Sequence, residues 1–286
     1  MKDRIESIAL DDLGALRLLG PDVLRFLQGQ VSSDVEQLRE VRSGLAGYHN
    51  PQGRTIALLR LVLTGPDEVL AVLPRELAAA VASRLAKFIL RAKVKVADVS
   101  ASLRIVGLVA AGDVAPLPQS AATLVRIADA PARWLSIIPA DEKTAAPGDR
   151  EKWRSLDIAA GMPQVYAATS EEFVAQMLNL DAFGAIAFDK GCYTGQEVIA
   201  RAHYRGRVKR RMQRFATHAQ RDFVPGASGL FCDGRAFKVV EAVKRADGTC
   251  EFLAVTALAA RDEAQPESAL QPIDVTPLAL PYVLPE

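Results

Sequence analysis

Apolar positions along the chain recur at two spacings, and those spacings divide it into short strands and a few helices. Leu10 to Gly20 reads as a turn followed by a short strand. Pro21 and Asp22 then open a helix with Val23, Leu24, Phe26 and Leu27 on its inner side, closed by Gln28-Gly29-Gln30. Ser32-Ser33-Asp34 opens another. The apolar run Thr55 to Leu63 and its partner Leu70 to Leu73 form a hairpin across Gly65-Pro66-Asp67. Arg75 to Leu90 is the clearest amphipathic helix, with Leu77, Val81, Leu85, Phe88 and Ile89 on one face. Val94 with Val96, Leu103 to Val109, Thr123 to Ile127 and Trp134 to Ile138 follow as strands. Strand, strand, helix and strand in that order predict a ferredoxin-like α+β unit. The Ala/Pro/Gly-rich stretches 110–122 and 140–150 read as loops.

A helix begins near Trp153 and stops at Gly161, with Pro163 beyond it. Glu171 to Leu178 reads as a second, short helix. The last part alternates as strands, Phe237 to Lys244 and Thr249 to Ala257, joined by the turn Arg245-Ala246-Asp247-Gly248. A proline-rich tail from Gln265 onward is expected to wrap the surface.

With 286 residues the chain exceeds one average domain, so two or three packed units are expected. Lys and Arg number 35 against 34 Asp and Glu, so no global charge draws it to nucleic acid or a membrane. Three cysteines, Cys192, Cys232 and Cys250, form neither a Cys-x-x-Cys pair nor a cluster with histidine. That argues against a preformed metal or iron–sulfur site and fits a reducing compartment. The first residues, Met1-Lys2-Asp3-Arg4-Ile5-Glu6, carry acids and lack an apolar signal core, and no apolar run reaches membrane-spanning length. A cytoplasmic protein with no membrane partner is the expectation.

The chemistry concentrates in Lys190-Gly191-Cys192-Tyr193-Thr194-Gly195-Gln196-Glu197. Thr194 and Glu197 have the spacing of a capping box, which predicts a helix from Gly195 to about His203 with Val198, Ile199 and Ala202 buried. Cys192 then precedes the helix's free amides and follows Lys190 by two residues, both of which favour a thiolate. A tight turn holding a small buried cysteine is the plainer alternative. Cys232 and Cys250 read as shielded packing residues on strands. From Arg201 to Arg214 there are seven Lys or Arg and no acid, among them Arg201, Arg205 and Arg207. This is either a solvated edge strand guarded against aggregation or a site for anions, the glutamate tail of a folate or an RNA backbone.

The eight-residue stretch around Cys192 resembles the signature of the YgfZ family, folate-binding proteins related to the glycine-cleavage T-protein, an aminomethyltransferase. Phe26 to Val35, Tyr48-His49-Asn50-Pro51-Gln52-Gly53-Arg54 and the segment from Trp153 to Pro163 resemble further family motifs. The resemblance implies an α+β, three-domain aminomethyltransferase-like fold. Residues 1–46 plus 151–206 would form a folate-binding domain, 47–150 a ferredoxin-like middle, and 207–286 a small C-terminal β-barrel. It implies tetrahydrofolate or another reduced folate as cofactor, with Trp153 in the folate pocket. It also implies iron–sulfur enzymes or assembly proteins as partners and a tRNA contact through the basic segment 201–214.

Three departures stand against the T-protein chemistry. The strand after Gly53 reads Thr55-Ile56-Ala57-Leu58-Leu59 where the T-protein places its catalytic aspartate. Ala159 and Leu13 stand where relatives place a pterin-clasping glutamate and an aromatic residue. The resemblance therefore implies an accessory factor supporting iron–sulfur cluster assembly or repair, and thereby tRNA thiomethylation, more than a catalytic aminomethyltransferase. Cys192 would be its working residue, with Lys190 tuning the thiol. The alternative is a folate-dependent one-carbon transferase acting on an unknown acceptor.

Overall fold

The computed structural model describes residues 5–110, 122–142, 149–206, 208–259 and 271–285. Of the two Ala/Pro/Gly-rich stretches, residues 111–121 and 143–148 lie outside these, as does Arg207. The chain divides into two compact units, residues 1–46 with 59–153, and residues 47–58 with 154–286.

The first unit carries two antiparallel sheets. Strands β1 (Ile5–Ala9) and β2 (Leu13–Leu19) precede helices α1 (Val23–Gln28) and α2 (Leu38–Val41). Next come β3 (Ser43–His49), β4 (Thr55–Gly65) and β5 (Glu68–Pro74), followed by helix α3 (Arg75–Ala86) and strands β6 (Lys95–Asp98), β7 (Leu103–Ala110), β8 (Thr123–Asp129) and β9 (Ala132–Pro139). One sheet has the order β3-β4-β5-β2-β6, the other β1-β7-β9-β8. The β3–β4 turn, within residues 47–58, belongs to the second unit.

This pairing corrects the ferredoxin-like reading. Strands of 47–150 do not close on themselves: β5 and β6 flank β2, and β7 pairs with β1. An N-terminal strand completes each sheet because β2 (buried Ala15, Leu16 and Leu18) and β1 (buried Ile8) carry the apolar faces that the middle strands need. Helix α3 buries Leu77, Ala78, Val81 and Leu85, but it ends at Ala86. Phe88, expected on its inner face, is half exposed.

The motif around Gln28 is a clamp. Its Oε1 accepts from the Val35 amide at 2.7 Å and its Nε2 donates to Asp34 at 2.9 Å, while Asp34 caps a short 3-10 turn over Val35–Gln37. That satisfies amides the tight turn would otherwise bury unpaired.

Of helix α4 (Arg150–Ala159), residues 154–159 belong to the second unit. Glu171 to Leu178 is not a helix; only Ala175–Leu178 forms a 3-10 turn. Helix α5 (Gln196–Tyr204) leads to strands β10 (Arg210–Thr217), β11 (Ser228–Leu230), β12 (Ala236–Lys244), β13 (Cys250–Ala257) and β14 (Thr276–Leu278), in sheet order β11-β12-β13-β10-β14. Phe215, Phe231, Phe237, Val239 and Phe252 fill its core. The edges meet only at the single bridge Phe231–Ile273, so the described strands form an open sheet and no ladder closes them into the expected barrel. With β11 and β14 only three residues long, a closing ladder has no length to form. No helix among the described residues is long and apolar enough to cross a membrane.

Candidate functional site

Two tight segments of the second unit interlock around the cysteine motif. The first is the turn after β3. Asn50 Oδ1 accepts from the amides of Gln52 and Arg54 at 3.0 Å each, and its Nδ2 donates to Glu171 at 2.7 Å. Thr55 N–H donates to the Phe173 carbonyl and the Glu171 amide to the Thr55 carbonyl, so the turn is laced to 171–173. The side-chain carboxamide replaces backbone partners that a turn of this shape cannot supply.

The second segment is the loop into α5. Its N-cap is Gly195 at φ +85°, and no side chain caps the helix. The capping box expected from Thr194 and Glu197 is therefore absent. The reason is long-range: a Cβ at Gly195 would fall 2.6 Å from the Asn50 carbonyl and 3.0 Å from Gly53 Cα. A Cβ at Gly53, itself at φ +70°, would meet Val198 Cβ at 3.0 Å. The two glycines let turn and helix start touch, and that contact sets Gly195 in the left-handed region where a threonine cap cannot reach the first amides.

Within the loop, Tyr193 is buried and burial pushes its phenol up to about 12. The Lys190 ammonium lies 5.0 Å from the centre of the Tyr193 ring, a cation–π contact. Cys192 is exposed between these anchors. On α5 only Ile199 is fully buried; Val198 is exposed and Ala202 partly so. The plainer alternative, a small buried cysteine, fits Cys250, not Cys192. Cys232 is also exposed, contrary to expectation, because it lies past the end of β11 rather than inside the sheet.

The basic segment splits in two. Arg201, Arg205, Lys209 and Arg210 are exposed. Arg211 is fully buried in a bidentate pair with Asp181 at 3.0 and 2.8 Å, and also donates to the Gln176 carbonyl. Arg214 donates to Glu251 at 2.6 Å. Strand β10 is paired on both sides, by β13 and β14, so it is no edge strand. A run without acids in sequence is met in space by acids from Asp181 and Glu251.

Sequence reading missed two features. At the end of α5, Phe188 stacks on His203 with ring centres 3.7 Å apart, and Tyr204 packs edge-on to both beside Arg201 and Arg205. His49 is 1% exposed, neither ring nitrogen has a hydrogen-bond partner, and burial lowers its imidazole to about 3. A polar residue in an apolar strand has no sequence signature that tells a buried neutral imidazole from an exposed one.

Trp153, in the first unit, is 6% exposed. Gly107 leaves the room its ring occupies, since a Cβ there would lie 2.4 Å from it, and the Arg133 guanidinium stands 5.0 Å over the ring. Ala57 and Leu58 are buried and apolar. With Ala159 they offer neither the acid nor the pterin-clasping carboxylate of the T-protein, and the covered Trp153 offers little open face for stacking. These residues do not fit the T-protein's way of holding folate. Among the described residues no group of three or more His, Cys, Asp or Glu is placed to hold a metal ion.

The strand-rich α+β architecture is that of the aminomethyltransferase T class. The structure is similar to the glycine cleavage system aminomethyltransferase T from Bartonella henselae, with a TM-score of 0.69, covering 89% of this chain and 78% of that one at 13% identity. The chain belongs to the YgfZ family. It is 33% identical over 228 residues to the tRNA-modifying protein YgfZ of Pectobacterium carotovorum subsp. carotovorum (strain PC1), covering 71% of this chain and 68% of that protein. No family model matches it.

Proposed function

We propose that this chain is a folate-related accessory factor in tRNA modification, working through the exposed thiol of Cys192. The observation that carries the reading is the position of that thiol: it stands on a loop pinned by the buried Tyr193 on one side and the Gly195–Gly53 contact on the other. A pinned, exposed thiol suits transient contact with a partner's sulfur or cluster better than packing does. The finer part of the proposal is that the partners are iron–sulfur enzymes that thiomethylate tRNA, or the proteins that assemble their clusters, in the cytoplasm.

The tRNA contact is proposed at the end of α5. Phe188, His203 and Tyr204 supply aromatic faces, and Arg201 and Arg205 supply charge for phosphates, a combination that suits unpaired bases. The one-carbon transferase is the weaker reading, because buried Ala57 and Leu58 leave no acid for proton transfer in that strand.

Tetrahydrofolate is expected to bind only weakly, at roughly micromolar Kd or poorer, since the clasping carboxylate is missing at Ala159. Isothermal titration with tetrahydrofolate tests this. Weak saturable heat supports the folate part, and no heat at millimolar ligand removes folate from the account.

A further inference from the structure

In the first unit, the loop from α3 to β6 exposes basic and apolar side chains together. Residues 87–97 hold four Lys or Arg (Lys87, Arg91, Lys93 and Lys95) and no acid. All four are exposed, and none is ion-paired among the described residues. Between them stand Phe88, half exposed, and Leu90, 87% exposed. The end of the loop is fixed: the Lys93 amide donates to Asp22 Oδ2 at 2.7 Å, and a Cβ at Gly20 would fall 1.9 Å from the Lys93 carbonyl oxygen. Leu90 is three residues from that anchor, which keeps its Cα within about 11 Å of it.

The second observation is the strand that the loop enters. β6 (Lys95–Asp98) is the end strand of its sheet, laddered to β2 on one side. Among the described residues no strand pairs with its other side, and residues 95–98 make no backbone–backbone hydrogen bond beyond that ladder. Lys95, Ala97 and Asp98 are exposed. The unpaired donors and acceptors of such an edge are a template for another strand. Asp98, the one acid of β6, accepts from the Ser100 amide at 2.9 Å at the far end, which leaves the charge of Lys93 and Lys95 uncompensated. Lysine on an edge discourages chance pairing and leaves an acidic strand as the one that fits.

We propose that this edge binds an extended acidic segment of a partner protein, which adds to β6 as a further strand. The segment's backbone pairs with the open side of β6, its carboxylates meet Lys93 and Lys95, and an apolar side chain beyond the paired stretch meets Phe88 or Leu90. A lipid surface fits less well, because the unpaired groups of a strand edge find no partners in hydrocarbon. RNA has no use for an exposed leucine, which offers no ring for stacking. None of these residues lies in the second unit, so failure of this proposal leaves the Cys192 reading standing.

The test uses the full chain and the labelled peptide fluorescein-EVDLEVDL-amide, with fluorescein-KVKLKVKL-amide as the charge-reversed control. Anisotropy should show saturable binding of the acidic peptide, at a Kd on the order of tens of micromolar, and none of the basic one. Backbone amides of residues 91–98 should exchange more slowly in the complex. Lys93→Glu with Lys95→Glu, both exposed positions, should weaken binding on the order of tenfold at low salt. Phe88→Ser with Leu90→Ser should weaken it by a smaller factor. The peptide fluorescein-EVPLEVPL-amide, whose prolines cannot donate to a ladder, should also bind on the order of tenfold more weakly. No saturable binding, equal binding of the basic or the proline peptide, affinity unchanged in the lysine variant, or slowed exchange centred elsewhere would overturn the assignment. So would uptake by phosphatidylserine vesicles without binding of the acidic peptide.

Discussion

Moving the protein from about pH 8 to about pH 5 should destabilise it through His49. The unfolded imidazole titrates near 6.5, whereas burial holds the folded one at about 3. The unfolded chain therefore binds more protons across that whole window. The contribution is complete above about pH 6.5 and is lost as the pH falls toward 3. Linkage between those two values gives a loss of about 0.8 kcal/mol at pH 6 and about 2 kcal/mol at pH 5, to order of magnitude. His49→Leu removes the titration. Because neither ring nitrogen is hydrogen-bonded, it forfeits no polar contact and should cost less than about 1 kcal/mol at pH 8. Urea unfolding followed by circular dichroism at both pH values measures this. The wild type should lose more stability on acidification than His49→Leu by about 2 kcal/mol. Equal pH dependence in the two proteins, or a large loss in the variant at pH 8, would refute the buried, unpaired imidazole.

Asp181→Ala leaves the Arg211 guanidinium buried without its partner and should cost about 3–5 kcal/mol in thermal or urea unfolding, whereas Asp181→Leu with Arg211→Met should recover most of it. Alkylation by iodoacetamide, read peptide by peptide, should modify exposed Cys192 and Cys232 well before buried Cys250, whose thiol burial pushes up to about 11. A Cys250 reacting alongside the others contradicts the packing. Ala57→Asp places a carboxylate at a fully buried position and should lower stability by more than about 2 kcal/mol without producing aminomethyl transfer to tetrahydrofolate. Tyr204→Ala should weaken binding to unmodified tRNA, and Arg201→Gln with Arg205→Gln should reduce the salt dependence of that binding; an unchanged slope would remove α5 from the interface.

What could be read from the chain alone was what local periodicity controls. Leu77, Val81 and Leu85 on the inner side of α3 and both hairpins follow from apolar spacing and turn residues within a few positions, whereas the helix after Gly195 forms without the cap that suggested it and buries only Ile199 of its three expected positions. What could not be read was set by distant partners. Thr194 and Glu197 have capping-box spacing, yet Asn50 and Gly53, some 140 residues earlier, hold Gly195 where no such cap forms. Arg211 and Arg214 look like surface charge until Asp181 and Glu251 are found beside them. The middle strands look self-sufficient because strand order in sequence says nothing of β1 and β2 returning to complete their sheets. Of the site, the cysteine loop was legible as a motif. The aromatic group at the end of α5 was not, since Phe188 lies fifteen residues before His203 and reaches it only by folding.

The central claim is that the Cys192 thiol is what this chain contributes to tRNA modification. The direct measurement is mass spectrometry of thiomethylated nucleosides in tRNA from cells lacking the protein, complemented with the wild type or with Cys192→Ala at equal protein level. Wild type should restore the modified nucleosides and Cys192→Ala should leave them depleted, with Cys232→Ala as the exposed-thiol control behaving like wild type. Full restoration by Cys192→Ala would contradict the account and leave the loop with a structural role alone.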